Sequence, residues 1–274
     1  MNEHIRFHDF PVPGIDPMSA TTVRSFPRHT HDQYGIGVVD AGGHSSWSGR
    51  GQVEAGPGSL ISVNPGEVHD GRPIAQRPRS WRILYVDPAL MGAVCADVLD
   101  GAQAHFTFAA PVFADERVRS LFDATFAHAA APAAPAEGAD AAMAGETALL
   151  TLVARLLAHS TAGRVNDAGP TACVRRARDR IDADPAAPVT LAELAAEAGL
   201  GRYQLLRGFA RELGLTPHAY IVQRRVALAR RLIRGRRALA EVALLAGFCD
   251  QSHLTRRFVR QFGVTPRRYA SRAT

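Results

Sequence analysis

Residues 239–266 read LAEVALLAGFCDQSHLTRRFVRQFGVTP, and residues 191–217 read LAELAAEAGLGRYQLLRGFARELGLTP. With a one-residue insertion at Cys249, the two stretches agree at 13 of 27 aligned positions. Such self-similarity indicates one structural unit that is used twice. In each copy a glycine, Gly199 or Gly247, separates two runs with apolar residues at helical spacing. This order predicts a helix, a glycine turn and a second helix, which is the unit that many DNA-binding proteins insert into the major groove.

The second helix of each unit must combine an apolar face with a polar one. Leu205 and Phe209 are four residues apart and therefore share a face, which we expect to be buried. Leu254 and Phe258 repeat this spacing in the second unit. Arginine, glutamine, serine and threonine are side chains that can read base edges. The candidate DNA contacts are Tyr203, Gln204, Arg207, Gln251, Ser252, Thr255 and Arg256, on predicted recognition helices that cover about residues 201–213 and 251–262.

Charge is distributed unevenly along the chain. Residues 1–170 contain 12 arginines and 18 acidic residues, whereas residues 171–274 contain 20 arginines and 8 acidic residues. The two parts therefore carry −6 and +12, which together give the net charge of +6. The sequence contains no lysine. A basic C-terminal part favours double-stranded DNA as its partner, and arginine is well suited to phosphate and guanine.

The N-terminal part has the pattern of a β-rich domain. Between residues 20 and 86, short apolar runs such as 34–39, 59–63 and 81–86 alternate with glycine- and proline-rich turns. Short strands at regular spacing predict a β-barrel or sandwich, and a small barrel can enclose one ligand. The start of the chain has no apolar segment typical of a signal peptide, and no apolar run is long enough for a membrane span. We therefore expect a cytoplasmic protein with no membrane association.

Helical patterns begin after Asp87. We expect helices over 88–99, 115–130 and 145–159, with the low-complexity stretch 129–142 as a mobile loop. The leucine stripe of helix 145–159 has two possible roles, packing on the barrel or forming the seam of a homodimer. The predicted organisation is an α+β chain of two domains: a sensor and dimerisation domain over 1–163, a linker over 164–170 and an all-α tandem helix-turn-helix domain over 171–274.

The C-terminal hundred residues resemble the AraC/XylS family of bacterial transcription regulators. The resemblance is carried by Gly247-Phe248, Ser252-His253-Leu254, Arg256, Phe258, Gly263-Val-Thr-Pro266 and Tyr269. It implies two helix-turn-helix subdomains joined by a linker helix, with the candidate contacts above in base- or backbone-reading positions. Gly201 departs from the serine usual at the start of the first recognition helix. Gly208 lies inside that helix, where glycine costs about 1 kcal/mol relative to alanine, so we expect the first helix to be the softer reader.

The N-terminal domain resembles a cupin barrel, as found on many AraC-type regulators. His29, His31 and His69 match the three histidine positions of metal-binding cupins, but Tyr34 and Gly35 stand where the family has its glutamate. Three imidazoles can hold zinc or iron. We nevertheless expect no cofactor and no metal, and we expect a small-molecule site instead. Its candidate residues are His29, His31, Tyr34, Glu67 and His69.

These observations favour a ligand-responsive transcription regulator that binds an operator, with a small-molecule effector, a homodimer and RNA polymerase as expected partners. We expect that the protein is not an enzyme and has no catalytic residue. Two alternatives stay open from the sequence: a metal-dependent cupin enzyme tethered to nucleic acid, and a regulator that responds to no ligand.

Overall fold

The computed structural model describes residues 3–48, 51–99, 106–130, 138–160 and 171–271. By its contacts the chain forms two units. The first comprises Met1–Ser25 with His31–Arg164, and the second comprises Phe26–Thr30 with Val165–Thr274. The first unit is rich in strands, and the second is mainly helical.

The strands form two sheets. They are β1 (His4–Phe7), β2 (Ile15–Thr22), β3 (Phe26–His29), β4 (Tyr34–Ala41), β5 (His44–Ser48), β6 (Gly51–Ala55), β7 (Leu60–Val63), β8 (His69–Pro73), β9 (Arg79–Val86) and β10 (Val112–Phe113). One sheet has the order β1-β2-β9-β4-β7-β10, and β8, β5 and β6 lie side by side in the other. Because β1 and β10 are edges of the larger sheet, the expectation of a closed barrel is corrected to two cupin-like sheets.

Strand β9 lies at the centre of the larger sheet, paired antiparallel with β2 and β4. The sequence reasoning missed β1 and β2. Strand β2 contains Pro17 and buried polar residues such as Asp16, so its alternation of apolar and polar residues is concealed. Asp16 is tolerated inside because Gln33 Nε2 donates a hydrogen bond to its carboxylate at 3.2 Å.

Three helices belong to the first unit: α1 (Pro88–Val98), α2 (Glu116–Ala130) and α3 (Gly138–His159). Helix α3 begins seven residues earlier than expected, so the predicted loop over 129–142 is wrong at both of its ends. Residues 131–137 lie outside the described part of the chain. Alanine is the best helix former, and this explains why the alanine-rich stretch after Gly138 is helical.

The leucine stripe of α3 packs inside the first unit. Leu149, Leu152 and Leu156 are at most 2% exposed and join the core formed with Leu84 and Phe122. Of the two roles that the sequence left open for the stripe, the structure therefore favours packing on the sheet.

The second unit contains the helices α4 (Ala172–Ala183), α5 (Leu191–Ala198), α6 (Arg202–Glu212), α7 (Pro217–Arg234), α8 (Leu239–Leu245), α9 (Gln251–Phe262) and α10 (Pro266–Ala270). The predicted turn glycines Gly199 and Gly247 have φ of 68° and 77°, in the left-handed region that favours glycine. The repeated Thr-Pro pairs start helices, since Thr216 caps α7 and Pro217 occupies its first turn. Thr265 and Pro266 do the same for α10.

Gly208 has a packing role that the sequence did not show. A Cβ atom built on Gly208 would lie 2.8 Å from Val174 Cγ2 of α4, closer than side chains approach. Gly208 therefore allows α4 and α6 to come together. Among the described helices, none is long and apolar enough to cross a membrane.

Candidate functional site

The first predicted recognition helix, α6, presents an exposed polar face. Leu205 and Phe209 are fully buried, as predicted, and Tyr203 on the outside is 70% exposed. The Arg207 guanidinium lies 5.7 Å from the centre of the Tyr203 ring, so the ring supports the arginine in an outward position. Gln204 Oε1 accepts a hydrogen bond from Gly201 N at 2.9 Å. Gln204 therefore caps its own helix with its carbonyl oxygen, and both of its amide N–H groups remain for another partner.

The second predicted recognition helix, α9, has the same architecture. Its core pair, Leu254 and Phe258, is fully buried. Gln251, Ser252 and Arg256 are exposed. Thr255 is half-buried, and its hydroxyl donates to Gln251 O at 2.8 Å, which leaves the lone pairs of the threonine oxygen as acceptors.

Beside α9 lies a basic groove that the sequence reasoning only partly identified. The groove has a volume of about 460 Å³ and is lined by Cys249, Asp250, His253, Arg256, Arg257 and Arg260. Arg257 and Arg260 were missed, although four residues separate Arg256 from Arg260 and place them on one helix face. Asp250 is committed to capping α9, because its Oδ1 accepts from His253 N at 2.6 Å. Three guanidinium groups in one groove suit a phosphate-bearing polymer.

Two of the predicted histidines, His31 and His69, lie close together in the first unit, whereas His29 belongs to β3, which is part of the second unit. The rings of His31 and His69 are 5.2 Å apart, and that of Tyr85 is 4.8 Å from His31. Desolvation lowers the pKa of His69 to about 4, so this imidazole is neutral at neutral pH.

Backbone carbonyls fix the orientation of two of these rings. His29 Nδ1 donates to Pro27 O at 2.8 Å, and His69 Nδ1 donates to Glu67 O at 3.1 Å. Because a carbonyl only accepts, each of these Nδ1 atoms carries a proton. An imidazole that is oriented in this way suits a metal ion, and it equally suits a polar ligand.

Two other predicted ligand residues are not brought to the histidines. Tyr34 packs against the core on the helix side, and its hydroxyl donates to Phe106 O at 2.8 Å. The Glu67 carboxylate accepts from Asn64 N at 3.1 Å and from Asn64 Nδ2 at 3.3 Å. Tyr85, which the sequence reasoning did not select, is the tyrosine that contacts His31.

Comparison with known proteins decides the family. The family model described as "AraC-like ligand binding domain" matches residues 12–152, more than half of the chain, and the one described as "Helix-turn-helix domain" matches residues 194–272. The chain belongs to the AraC family of transcriptional regulators. It is thus a DNA-binding regulator with a ligand-binding domain, and the recognition made from the sequence is confirmed.

One relative of this AraC-family chain matches most of its length, and another matches about a third of it. The HTH-type transcriptional regulator YbfI of Bacillus subtilis is 26% identical over 256 residues, which cover 93% of this chain and 88% of YbfI. The probable transcriptional regulator LumQ of Photobacterium leiognathi is 39% identical over 82 residues, 30% of this chain and 33% of LumQ. The structure of ToxT from Vibrio cholerae strain SCE256 with an unsaturated fatty acid bound has a TM-score of 0.58 at 11% identity, covering 93% of this chain and 94% of ToxT. The ToxT match shows a shared fold.

Proposed function

We propose that this AraC-family regulator reads an asymmetric DNA half-site with α6 and α9 and is controlled by a small molecule bound in its first unit. One observation carries the proposal: two helices with the same buried Leu/Phe pair present different exposed residues. Arg207 and Arg256 occupy equivalent positions and are the common anchors. Tyr203 in α6 corresponds to Ser252 in α9, so the two helices read different bases.

Each reading residue has a chemical role in the proposal. Arg256 binds guanine or a phosphate, and Gln251 reads adenine through its amide. Ser252 and Thr255 contact base edges or phosphate oxygens. In α6, Arg207 contacts guanine with Tyr203 behind it, while Gln204, whose carbonyl oxygen caps the helix, offers its amide N–H groups.

Binding experiments with one arginine variant test this reading. We expect Arg256→Ala to lower the affinity for a selected operator roughly 5- to 150-fold, which corresponds to about 1–3 kcal/mol, and to relax preference at one base pair. Arg117→Ala is the matched control, because Arg117 is exposed on α2 of the first unit and the same charge is lost. If Arg256→Ala weakens binding equally for all sequences, Arg256 contacts phosphate and not a base.

Salt dependence tests the phosphate contacts. Arg257 and Arg260 in the groove beside α9 contact the backbone in this proposal, so log Kd should vary linearly with log salt concentration. Removing one of these arginines should lower the slope by about 0.9. A slope that is unchanged in both single variants would exclude the groove as a phosphate site.

The effector site is supported by the histidines and by Tyr85 in the N-terminal part. A ligand that binds only the folded chain raises its stability by mass action. A thermal-shift screen of metabolites on the full chain should therefore give at least one stabilising compound, whose effect is reduced in His31→Ala. If no compound both stabilises the chain and changes operator affinity, the chain is a regulator that responds to no ligand.

A second candidate function is metal-dependent catalysis of the cupin type. The neighbouring imidazoles of His31 and His69 favour it, since imidazole is a common ligand of zinc and iron. Against it, the Glu67 carboxylate accepts hydrogen bonds from Asn64 N and Nδ2, and the Tyr34 hydroxyl donates to Phe106 O. We propose that the chain is not an enzyme and needs no cofactor. Elemental analysis of protein purified without chelators tests this, and a stoichiometric metal that is lost in His31→Ala would contradict it.

We further propose a cytoplasmic homodimer that acts with RNA polymerase, in which residues 1–163 form the sensor and 164–170 the linker. Two copies would double the number of DNA contacts, and the operator would then mirror the symmetry of the dimer. Because Leu149, Leu152 and Leu156 of α3 are buried within one chain, we expect the dimer to use another surface. Sedimentation with and without operator DNA tests the stoichiometry, and one chain per complete operator would refute the dimer.

A further inference from the structure

Arg79 is a buried arginine at the start of β9. Its side chain is 0% exposed, and none of its three side-chain nitrogens has a hydrogen-bond partner among the described residues. Burial of a charged group without a compensating partner is strongly unfavourable, and native proteins therefore rarely retain one without a reason. Desolvation lowers the pKa of Arg79 only to about 10, so the guanidinium is still cationic at neutral pH.

Arg82, on the same strand, is an arginine whose charge is compensated by carboxylates. It forms ion pairs with Asp40 at 2.6 Å and with Asp123 at 2.8 Å. These carboxylates raise the pKa of Arg82. In the described part of the chain, Arg79 has no such ion pair, although it is more deeply buried than Arg82.

The position of Arg79 follows from the pleat of β9. Alternate residues of a strand point to the same face, so Arg79, Trp81 and Tyr85 share one side of the sheet. All three are buried. Tyr85 contacts His31 on this side, so Arg79 lies on the same face of β9 as the tyrosine next to the predicted effector site.

The groups around the guanidinium are an indole ring, an imidazole and a glycine. The Arg79 guanidinium carbon is 4.9 Å from the centre of the Trp81 ring, and the His44 ring lies 5.8 Å from that ring, edge to face. His44 Nδ1 is buried and has no partner among the described residues. At Gly71, a Cβ atom would lie 3.3 Å from His44 Cε1, which is a tight contact, and 3.5 Å from Arg79 Nη2, which is an ordinary one.

We infer that Arg79 and His44 bind the carboxylate of a small organic acid, with Trp81 against its apolar body. The planar guanidinium offers two parallel N–H donors that match the two oxygens of a carboxylate. His44 supplies a third donor through a neutral imidazole. This inference rests on the proposed effector control, because it names the chemical class of the effector.

Charge balance favours a monoanion. Desolvation, followed by repulsion from Arg79, lowers the pKa of His44 to about 3, so His44 adds no positive charge at neutral pH. A single guanidinium neutralises one carboxylate. A phosphate monoester carries about −1.5 to −2 at pH 7 and would leave negative charge buried. Inorganic phosphate is therefore the discriminating second probe.

The test measures binding to the full chain without DNA, by calorimetry and thermal shift. The probes are formate, acetate and benzoate, with benzamide as the neutral counterpart of benzoate and inorganic phosphate as the other oxyanion. We expect at least one carboxylate to bind and raise the melting temperature, and benzamide and phosphate to have no effect. If no carboxylate stabilises the chain, or if benzamide acts as well as benzoate, the inference is overturned.

Variants separate a binding role of Arg79 from a structural one. We expect Arg79→Gln to weaken carboxylate binding roughly 10- to 150-fold and to raise the melting temperature of the ligand-free chain, because an unpaired buried charge is removed. Arg79→Lys keeps the charge but loses the paired donors. Its affinity for carboxylates should therefore lie between that of the wild type and that of Arg79→Gln. The control Arg82→Gln should lower the melting temperature and keep the response to carboxylate.

Two results would overturn the role of Arg79: unchanged carboxylate binding in both Arg79 variants, or loss of folding in Arg79→Gln together with full affinity in Arg79→Lys. Operator binding is measured separately. A chain that binds carboxylates through Arg79 without any change in operator affinity would retain this site but would refute the proposed effector control.

Discussion

Replacing Gly208 with alanine has two opposing effects on stability: helix propensity improves, and packing becomes worse. Gly208 lies inside α6, where alanine is more favourable than glycine by about 1 kcal/mol. The added Cβ, however, would lie 2.8 Å from Val174 Cγ2. Overpacking of this kind costs about 1–3 kcal/mol. We therefore expect Gly208→Ala to lower the free energy of unfolding of the second unit by about 1 kcal/mol, or its melting temperature by about 4–8 °C.

The two units can be followed by different signals. Both tryptophans of the sequence, Trp47 and Trp81, lie in the first unit, so tryptophan fluorescence reports that unit. Circular dichroism at 222 nm reports both units, and its larger component comes from the second unit, whose described helices are longer in total. In urea, Gly208→Ala should shift the part of the circular-dichroism transition that fluorescence does not report to lower urea, and leave the fluorescence transition in place.

Gly92→Ala provides the matched control. Gly92 lies in α1, is exposed and has no atom within 4 Å of an added Cβ, so only helix propensity should act. We expect a gain of about 0.5–1 kcal/mol, seen in the fluorescence transition. In a double-mutant cycle, Val174→Ala should remove most of the penalty of Gly208→Ala. If Gly208→Ala stabilises the second unit as Gly92→Ala stabilises the first, the packing account is refuted.

Three further variants test other parts of the fold. Arg225 donates to Pro185 O at 2.8 Å and to Gly247 O at 2.7 Å, so Arg225→Met should cost the second unit about 2–4 kcal/mol in urea unfolding, and a cost below 0.5 kcal/mol would refute this role. Thr190→Ala removes the capping box of α5 and should cost about 1 kcal/mol, whereas Thr190→Ser should cost little. The pKa of His44 in the folded chain is about 3, below its value in the unfolded chain. The unfolded chain therefore binds the proton more readily, and stability should fall as pH drops below about 6.5. His44 should contribute about 1.2 kcal/mol to this loss between about pH 7.0 and 5.5. An equal loss in His44→Gln would assign that pH dependence to other groups.

The second unit was largely predictable because its signals are local. A turn glycine, a Thr-Pro start and a Leu/Phe pair four residues apart each determine structure within one or two turns of chain. Because the unit is repeated, each of these signals occurs twice. Residues that are shared by both copies could therefore be assigned to the scaffold, and residues that differ could be assigned to the exposed face. What the sequence could not show was Gly208, since the close approach of Val174 depends on how α4 and α6 pack.

The first unit was harder to predict because its structure depends on distant pairings. Strand β2 is held in place by pairing with β9 more than 50 residues later, and its own sequence shows no clear alternation. We expected Tyr34 to line a site with the histidines, but it packs against the core. Irregular backbone separates His31 from β4, so the face to which the Tyr34 side chain points could not be extrapolated from that of His31. Tyr85 contacts His31 instead.

Arg79 shows what alternation alone can reveal. In RSWRILYV, residues 79–86, the alternate positions place an arginine on the face that carries Trp81 and Tyr85. This face could have been deduced from the sequence. The absence of a hydrogen-bond or ion-pair partner for Arg79 among the described residues could not, because it depends on which side chains the second sheet brings opposite β9.

Selection of binding sites from randomised duplex DNA tests the central claim, that α6 and α9 read different parts of one half-site. The wild type should select two separate blocks of preferred bases whose centres are about one helical turn apart, about 10 base pairs. Arg207→Ala should relax one block and Arg256→Ala the other. If both variants relax the same positions, or if neither changes the selected sequence, the two helices do not read DNA as proposed.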